Sequence, residues 1–133
     1  MRSRILLLTG IVVVLLASIL VGASSAHTFV KETSLSIGKL PSRVTAPGDK
    51  VVVHGVLGPK ACRAEQTIAL VNVRNHKVFK TDKTDAQGEY SFTLHPKHDR
   101  SVRARFGGSV ETSYGHSHTC GKSKSEILII SVS

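Results

Sequence analysis

The chain has 133 residues, 18 Lys and Arg against 9 Asp and Glu for a formal net charge of +9, two cysteines and no tryptophan. That length holds one ordinary domain, and two isolated cysteines without CxxC partners do not make a structural zinc framework. With no tryptophan and no interleaved aromatic platform for stacking bases, nucleic acid is a poor partner, so the positive field points to other anions.

The first 26 residues read as an export signal. Arg2 and Arg4 form a basic region, Ile5 to Val21 an apolar run broken only by Thr9, Gly10 and Ser18, and Gly22 to Ala26 a stretch of small residues, in the order a secretory signal requires. Ser24 and Ala26 satisfy the preference for small side chains before a cut after Ala26, which makes His27 the new N-terminus; a cut after Ala23 is the second option. Left uncut, the run approaches the roughly 18 to 20 residues that span a bilayer and would act as an anchor. Cleavage leaves about 107 of the 133 residues and takes the formal charge from +9 to about +7. Outside the cytoplasm Cys62 and Cys120 read as one disulfide. It would close a loop of about 59 residues, worth roughly 4 kcal/mol in the chain-entropy description.

Residues 27 to about 33 are expected to form an irregular arm. From there the apolar residues recur at every second position and no window of ten or more reads as an amphipathic helix, which predicts an all-β domain. Strands are expected at 34–38, 50–57, 67–74, 78–83, 89–95, 101–106 and 126–132. Seven short strands about ten residues apart, separated by Gly, Pro and Asp signals, predict an antiparallel two-sheet sandwich. The division is thus a signal over 1–26, an arm and first strand over 27–47, and the sandwich core over 48–133.

Alternation assigns several faces. Val51, Val53, Gly55 and Leu57 point inward and His54 outward; Tyr90, Phe92 and Leu94 point inward; Val102, Ala104 and Phe106 point inward, with Arg103 and Arg105 to solvent. The 68–73 and 127–130 runs are apolar on both faces, so their register stays open; these strands are expected to be central, or one of them to lie under a partner. Ala46-Pro47-Gly48-Asp49 marks entry into the second strand. In Thr84-Asp85-Ala86-Gln87-Gly88-Glu89-Tyr90, Asp85 is expected to cap a type I turn and Gly88 to take the left-handed position of a tight hairpin.

The ordered set Val51-x-Val53-x-Gly55-x-Leu57, Cys62, Ile68-x-Leu70, Thr84 through Phe92, and Val102-Arg103-Ala104-Arg105-Phe106-Gly107-Gly108 resembles the exported bacterial immunoglobulin-like and carboxypeptidase-regulatory-like (transthyretin-like) β-sandwich domains. A T-D-x-x-G-x-Y/F-x-F turn recurs in that group. The resemblance covers about residues 48 to 132. It implies an immunoglobulin-like seven-stranded antiparallel sandwich, with late Cys120 bridging back to the loop after the second strand. It also implies an accessory module without a shared active site.

No GxSxG elbow, HExxH pair or phosphate loop is present, so the expectation is a non-enzymatic binding or structural module without a cofactor. Lys80, Lys83, Arg103 and Arg105 form the candidate basic face, suited to an anionic cell-wall or matrix polymer or another envelope protein; an ordinary solvated sheet surface is the bland alternative. Membrane contact is expected only through an uncut N-terminal segment. A second functional reading is a small copper or zinc carrier, in which the amine and ring of His27 join His116 and His118. Its alternative is that His116 and His118 are solvated residues of a Gly- and Ser-rich loop. Asp82, Asp85 and Glu89 do not have the spacing of an EF-hand calcium loop.

Overall fold

The structure, a computed structural model, describes residues 28–113 and 116–133. The expected signal over 1–26 and His27 lie outside the described residues. Within them the chain forms twelve short strands: β1 (Thr28–Lys31), β2 (Ser34–Leu35), β3 (Gly38–Leu40), β4 (Val51–Gly58), β5 (Thr67–Asn72), β6 (Lys77–Lys83), β7 (Glu89–Leu94), β8 (Arg100–Phe106), β9 (Ser109–Ser113), β10 (His116–Cys120), β11 (Ser123–Lys124) and β12 (Leu128–Ile130). One 3-10 turn, Lys60–Cys62, follows β4. No helix among the described residues is long and apolar enough to cross a membrane.

Burial follows the alternation read from the sequence. Val51, Val53 and Leu57 in β4, Tyr90, Phe92 and Leu94 in β7, and Val102, Ala104 and Phe106 in β8 are all buried. These strands belong to two sheets. In one, β8 lies between β5 and the pair β11 and β12, and β6 flanks β5; in the other, β4 carries β2 and β3 on one edge and β7 on the opposite edge. Their inward residues meet in one cluster, with Leu35, Val53, Leu57 and Phe92 from one sheet and Ile68, Leu70, Phe106 and Ile130 from the other. The fold is therefore an all-β sandwich.

Strands β2 and β3 keep one register along β4, interrupted at Ser36 and Ile37. The interruption has a chemical cause. The Ser36 hydroxyl oxygen accepts the Val56 N–H at 2.9 Å, in place of the Ser36 carbonyl. That carbonyl accepts the hydroxyl of Tyr90 instead, which gives a buried phenol its required partner. Tyr90 is cross-strand from Gly55. A Cβ on Gly55 would lie 2.0 Å from the Ser36 oxygen and 2.5 Å from the Tyr90 oxygen, so only glycine lets the phenol cross. Burial pushes the Tyr90 hydroxyl far above its ordinary pKa, keeping it a neutral donor.

The Asp85 turn is built from backbone N–H groups. Gly88 N–H donates to the Asp85 carbonyl at 3.0 Å, and Asp85 Oδ1 accepts the Gln87 and Glu89 N–H groups, each at 2.9 Å. The Glu89 amide, together with those of Gln87 and Gly88, holds the Asp85 carboxyl below the usual aspartate range. Gly88 has φ +82° and its carbonyl accepts the Leu57 N–H at 2.9 Å. The expected tight hairpin is corrected, however. β6 pairs with β5 and β7 with β4, so this turn carries the chain from one sheet to the other.

Three further expectations are corrected. The arm over 27–33 is not irregular, because β1 pairs in parallel with β10. The stretch holding His116 and His118 is not a loop: β9 and β10 form an antiparallel pair, giving a third, three-stranded sheet in the order β1-β10-β9. The 126–132 run shortens to β12, which pairs only with β8 and leaves Ile127 and Ile129 exposed, whereas β5 is central.

The expected disulfide is present. Cys62 in the 3-10 turn joins Cys120 at the end of β10, with Cα atoms 5.9 Å apart. It fastens the third sheet to the sandwich, and it is consistent with an extracytoplasmic protein.

Two predictions follow from these constraints. Gly55→Ala should lower stability by about 3 kcal/mol or more, read as a fall in the urea midpoint; an unchanged midpoint would show that the Tyr90 crossing is not a constraint. Replacing Cys62 and Cys120 by serine should lose roughly 3 to 4 kcal/mol. Amide exchange in β1, β9 and β10 should then outpace exchange in β4 and β8, and equal acceleration everywhere would count against a local clip.

Candidate anion-binding face

The outer face of the five-stranded sheet can be laid out from its registers. Lys124 of β11 pairs with Arg105 of β8, Arg105 with Ala69 of β5, and Ala69 with Thr81 of β6. On one side of this row Thr67 pairs with Lys83. On the other, Arg103 pairs with Val71 and Val71 with Val78, and Ile129 pairs with Ser101. In β5, β8, β11 and β12 these residues have the parity opposite to the buried Ile68, Leu70, Val102, Ala104, Phe106 and Ile130 and face outward; in β6 a register shift between Leu70 and Val71 brings Val78, two residues from Lys80, opposite Val71, which is itself buried.

Three of the four expected basic residues, Lys83, Arg103 and Arg105, therefore share this face. Arg105 and Lys83 are exposed; Arg103 is half-buried and donates from Nε to the Ser125 carbonyl at 2.8 Å. Lys124 and Lys122, which sequence reasoning missed, complete the cationic patch. No hydrogen bond or ion pair engages the side chains of Lys83, Arg105, Lys122 or Lys124 among the described residues. Two open clefts flank Arg105. One of about 460 Å³ is lined by Arg105, Gly107, Lys122 and Lys124. The other, of about 400 Å³, is lined by Lys83, Thr67, Arg105 and the acid Glu65.

Lys80 does not belong with them. It lies opposite Leu70, a core residue, so it has inward parity at the sheet's edge. Its Nζ donates to the Thr93 carbonyl of β7 at 2.8 Å, while Asp82 Oδ2 accepts the Ser91 N–H at 3.0 Å. Lys80 and Asp82 thus cover backbone groups that edge strand β7 would otherwise leave bare, and they close one side of the sandwich. Occupying an exposed edge in this way also discourages pairing with other chains.

The remaining candidates are placed as follows. His116 and His118 occupy alternate positions of β10, with His118 opposite Glu111 and His116 opposite Ser113. The His116 side chain and the whole of His27 lie outside the described residues. No group of three or more His, Cys, Asp or Glu able to hold a metal occurs among the described residues. Asp82, Asp85 and Glu89 line a third cleft of about 490 Å³ beside His54, but the Asp82 and Asp85 carboxylates are occupied with backbone N–H groups. The signal that could have revealed Lys122 and Lys124 is their i, i+2 spacing ahead of the final apolar run. Comparison of the chain with protein-family models, with curated proteins and with solved structures finds no match in any of the three.

Proposed function

We propose that this protein is an exported, non-enzymatic, immunoglobulin-like binding module that holds an anionic envelope or matrix polymer on the outer face of its five-stranded sheet. One observation carries this reading. Lys83, Arg105, Lys122 and Lys124 lie around two adjoining clefts that share Arg105, with no side-chain partner among the described residues. Cations with no internal partner on a flat face favour a repeating anion by charge complementarity and steering. The immunoglobulin-like assignment is supported by counting β2 and β3 as one strand in a single register. With β11 and β12, which both pair with β8, likewise counted as one edge strand, β2/β3, β4 and β7 face β5, β6, β8 and β11/β12 in a three-on-four arrangement. The disulfide supports the extracytoplasmic setting in which such polymers occur.

The test uses an immobilised polyanion, poly-glutamate, with elution by salt. The protein should be retained at low salt and released as exposed charges are screened. Arg105→Glu with Lys124→Glu should weaken retention about tenfold or more, since both act directly in the field at the surface. Lys80→Gln should leave retention nearly unchanged while lowering the melting temperature. A loss from Arg105→Glu with Lys124→Glu no larger, per unit of positive charge removed, than that from Lys80→Gln would mean that net charge alone is responsible, and the face would have no special role.

A further inference from the structure

The cationic rows occupy only half of the outer face. Beyond them Ile127, the residue before β12, is exposed, and Arg103 leads across to Val71 and Val78. The next row holds Ile129 and Ser101, with Val73 joined to Ser101 by a 3.0 Å backbone hydrogen bond. Ile129 is 61 % exposed, Ile127 47 % and Val78 43 %. Neighbouring rows on one face are two residues apart along the strand, roughly 7 Å. Exposed aliphatic side chains and cations therefore lie side by side on one sheet face. No acid falls within these rows. Glu65 on the rim of one cleft and Glu126, between β11 and β12, border them.

Resting on the anion-binding reading of the same face, we propose that the partner it fits is an anionic lipid bilayer. A soluble polyanion would satisfy Arg105 and Lys124 yet leave Ile127 and Ile129 wet. A bilayer surface engages both halves at once, with headgroup phosphates meeting the cations and the acyl boundary receiving the isoleucines. Apolar contact and electrostatic attraction to anionic lipid add together in such adsorption, and each Lys or Arg near the surface strengthens it about fivefold. The opposite sheet lacks the pairing. Its outward Leu40 and Val56 are 61 % and 44 % exposed, but Leu40 has Val52 and Thr93 across β4 and β7, Val56 pairs with Glu89, and the cleft beside Val56 sets Asp82, Asp85 and Glu89 against Lys83. This contact differs from an uncut N-terminal anchor, because it runs through the folded sheet.

The experiment is co-sedimentation of the full chain, as recovered from an exporting host, with phosphatidylcholine vesicles with or without phosphatidylglycerol. Retention on poly-glutamate is measured in parallel. Wild type should bind the phosphatidylglycerol vesicles in clear preference to the neutral ones. Ile127→Ser with Ile129→Ser should weaken that binding about tenfold and leave poly-glutamate retention unchanged. Arg105→Glu with Lys124→Glu should weaken both, and Leu40→Ser, an equally exposed apolar position on the other sheet, should change neither. Equal binding to neutral and anionic vesicles, or vesicle binding indifferent to the isoleucines, overturns the bilayer proposal. Loss of vesicle binding alone, with Arg105-dependent retention on poly-glutamate intact, leaves a soluble polymer or an acidic protein as the partner. Absence of both overturns the anion-binding reading as well.

Discussion

Side chains alternate along a strand, so the burial of Val102, Ala104 and Phe106 in β8, none more than 1 % exposed, sends Arg103 and Arg105 to the opposite face. Fully burying such an apolar side chain is worth about 1.5 to 3 kcal/mol, whereas an exposed ion pair contributes about 0 to 1 kcal/mol. The core therefore decides the register of β8, and the surface charges follow. Because β5 and β11 pair with β8 residue by residue, the same decision places Thr67, Ala69 and Lys124 on the outer face. The outward rows of the five-stranded sheet follow from these three buried side chains.

The sides of the sandwich are closed by different means. At β6 and β7, Lys80 and Asp82 reach from one sheet to backbone groups of the other. Opposite, Thr33 Oγ1 donates to the Gly121 carbonyl at 2.7 Å and lies 2.8 Å from Ser123 Oγ, tying the chain between β1 and β2 to the start of β11. Near this side the disulfide fixes the end of β10. The Tyr90 hydroxyl works within one sheet, locking β7 to the β2/β3 edge across Gly55. These are polar or covalent devices at the periphery of an apolar core, and among the described residues they leave Lys83, Arg105 and Lys124 on the outer face without an internal partner, whereas Arg103 is held by the Ser125 carbonyl.

How much of this was legible depended on whether an element buries one face. For β4, β7 and β8 the apolar alternation stated which side chains go inward. The third sheet carried no such signal: within Ser109–Ser113 and His116–Cys120 the one aliphatic residue is Val110, 65 % exposed. β9 pairs with the strand that follows it, whereas the pairing of β10 with β1 and the Cys62–Cys120 clip are long-range. Ile127 to Ile130 were ambiguous for the opposite reason. Apolar residues fill both faces, and only the pairing with Val102 shows that Leu128 and Ile130 turn inward while Ile129 stays wet. Of the four basic residues expected together, Lys83, Arg103 and Arg105 share the outer face of the five-stranded sheet. Lys80 was grouped with Lys83, although residues three apart on a strand point to opposite sides; its exposed charge concealed a role at the sheet edge.

The proposed face joins the cationic rows and the aliphatic rows, so the most direct measurement is a residue-by-residue map of amide chemical-shift changes as anionic lipid bicelles are added. The predicted result is change concentrated at Lys83, Arg103, Arg105, Lys124, Ile127 and Ile129, fading in matched neutral bicelles. Change centred instead on the Asp82, Asp85 and Glu89 cleft, or on the β1-β10-β9 sheet, would contradict it.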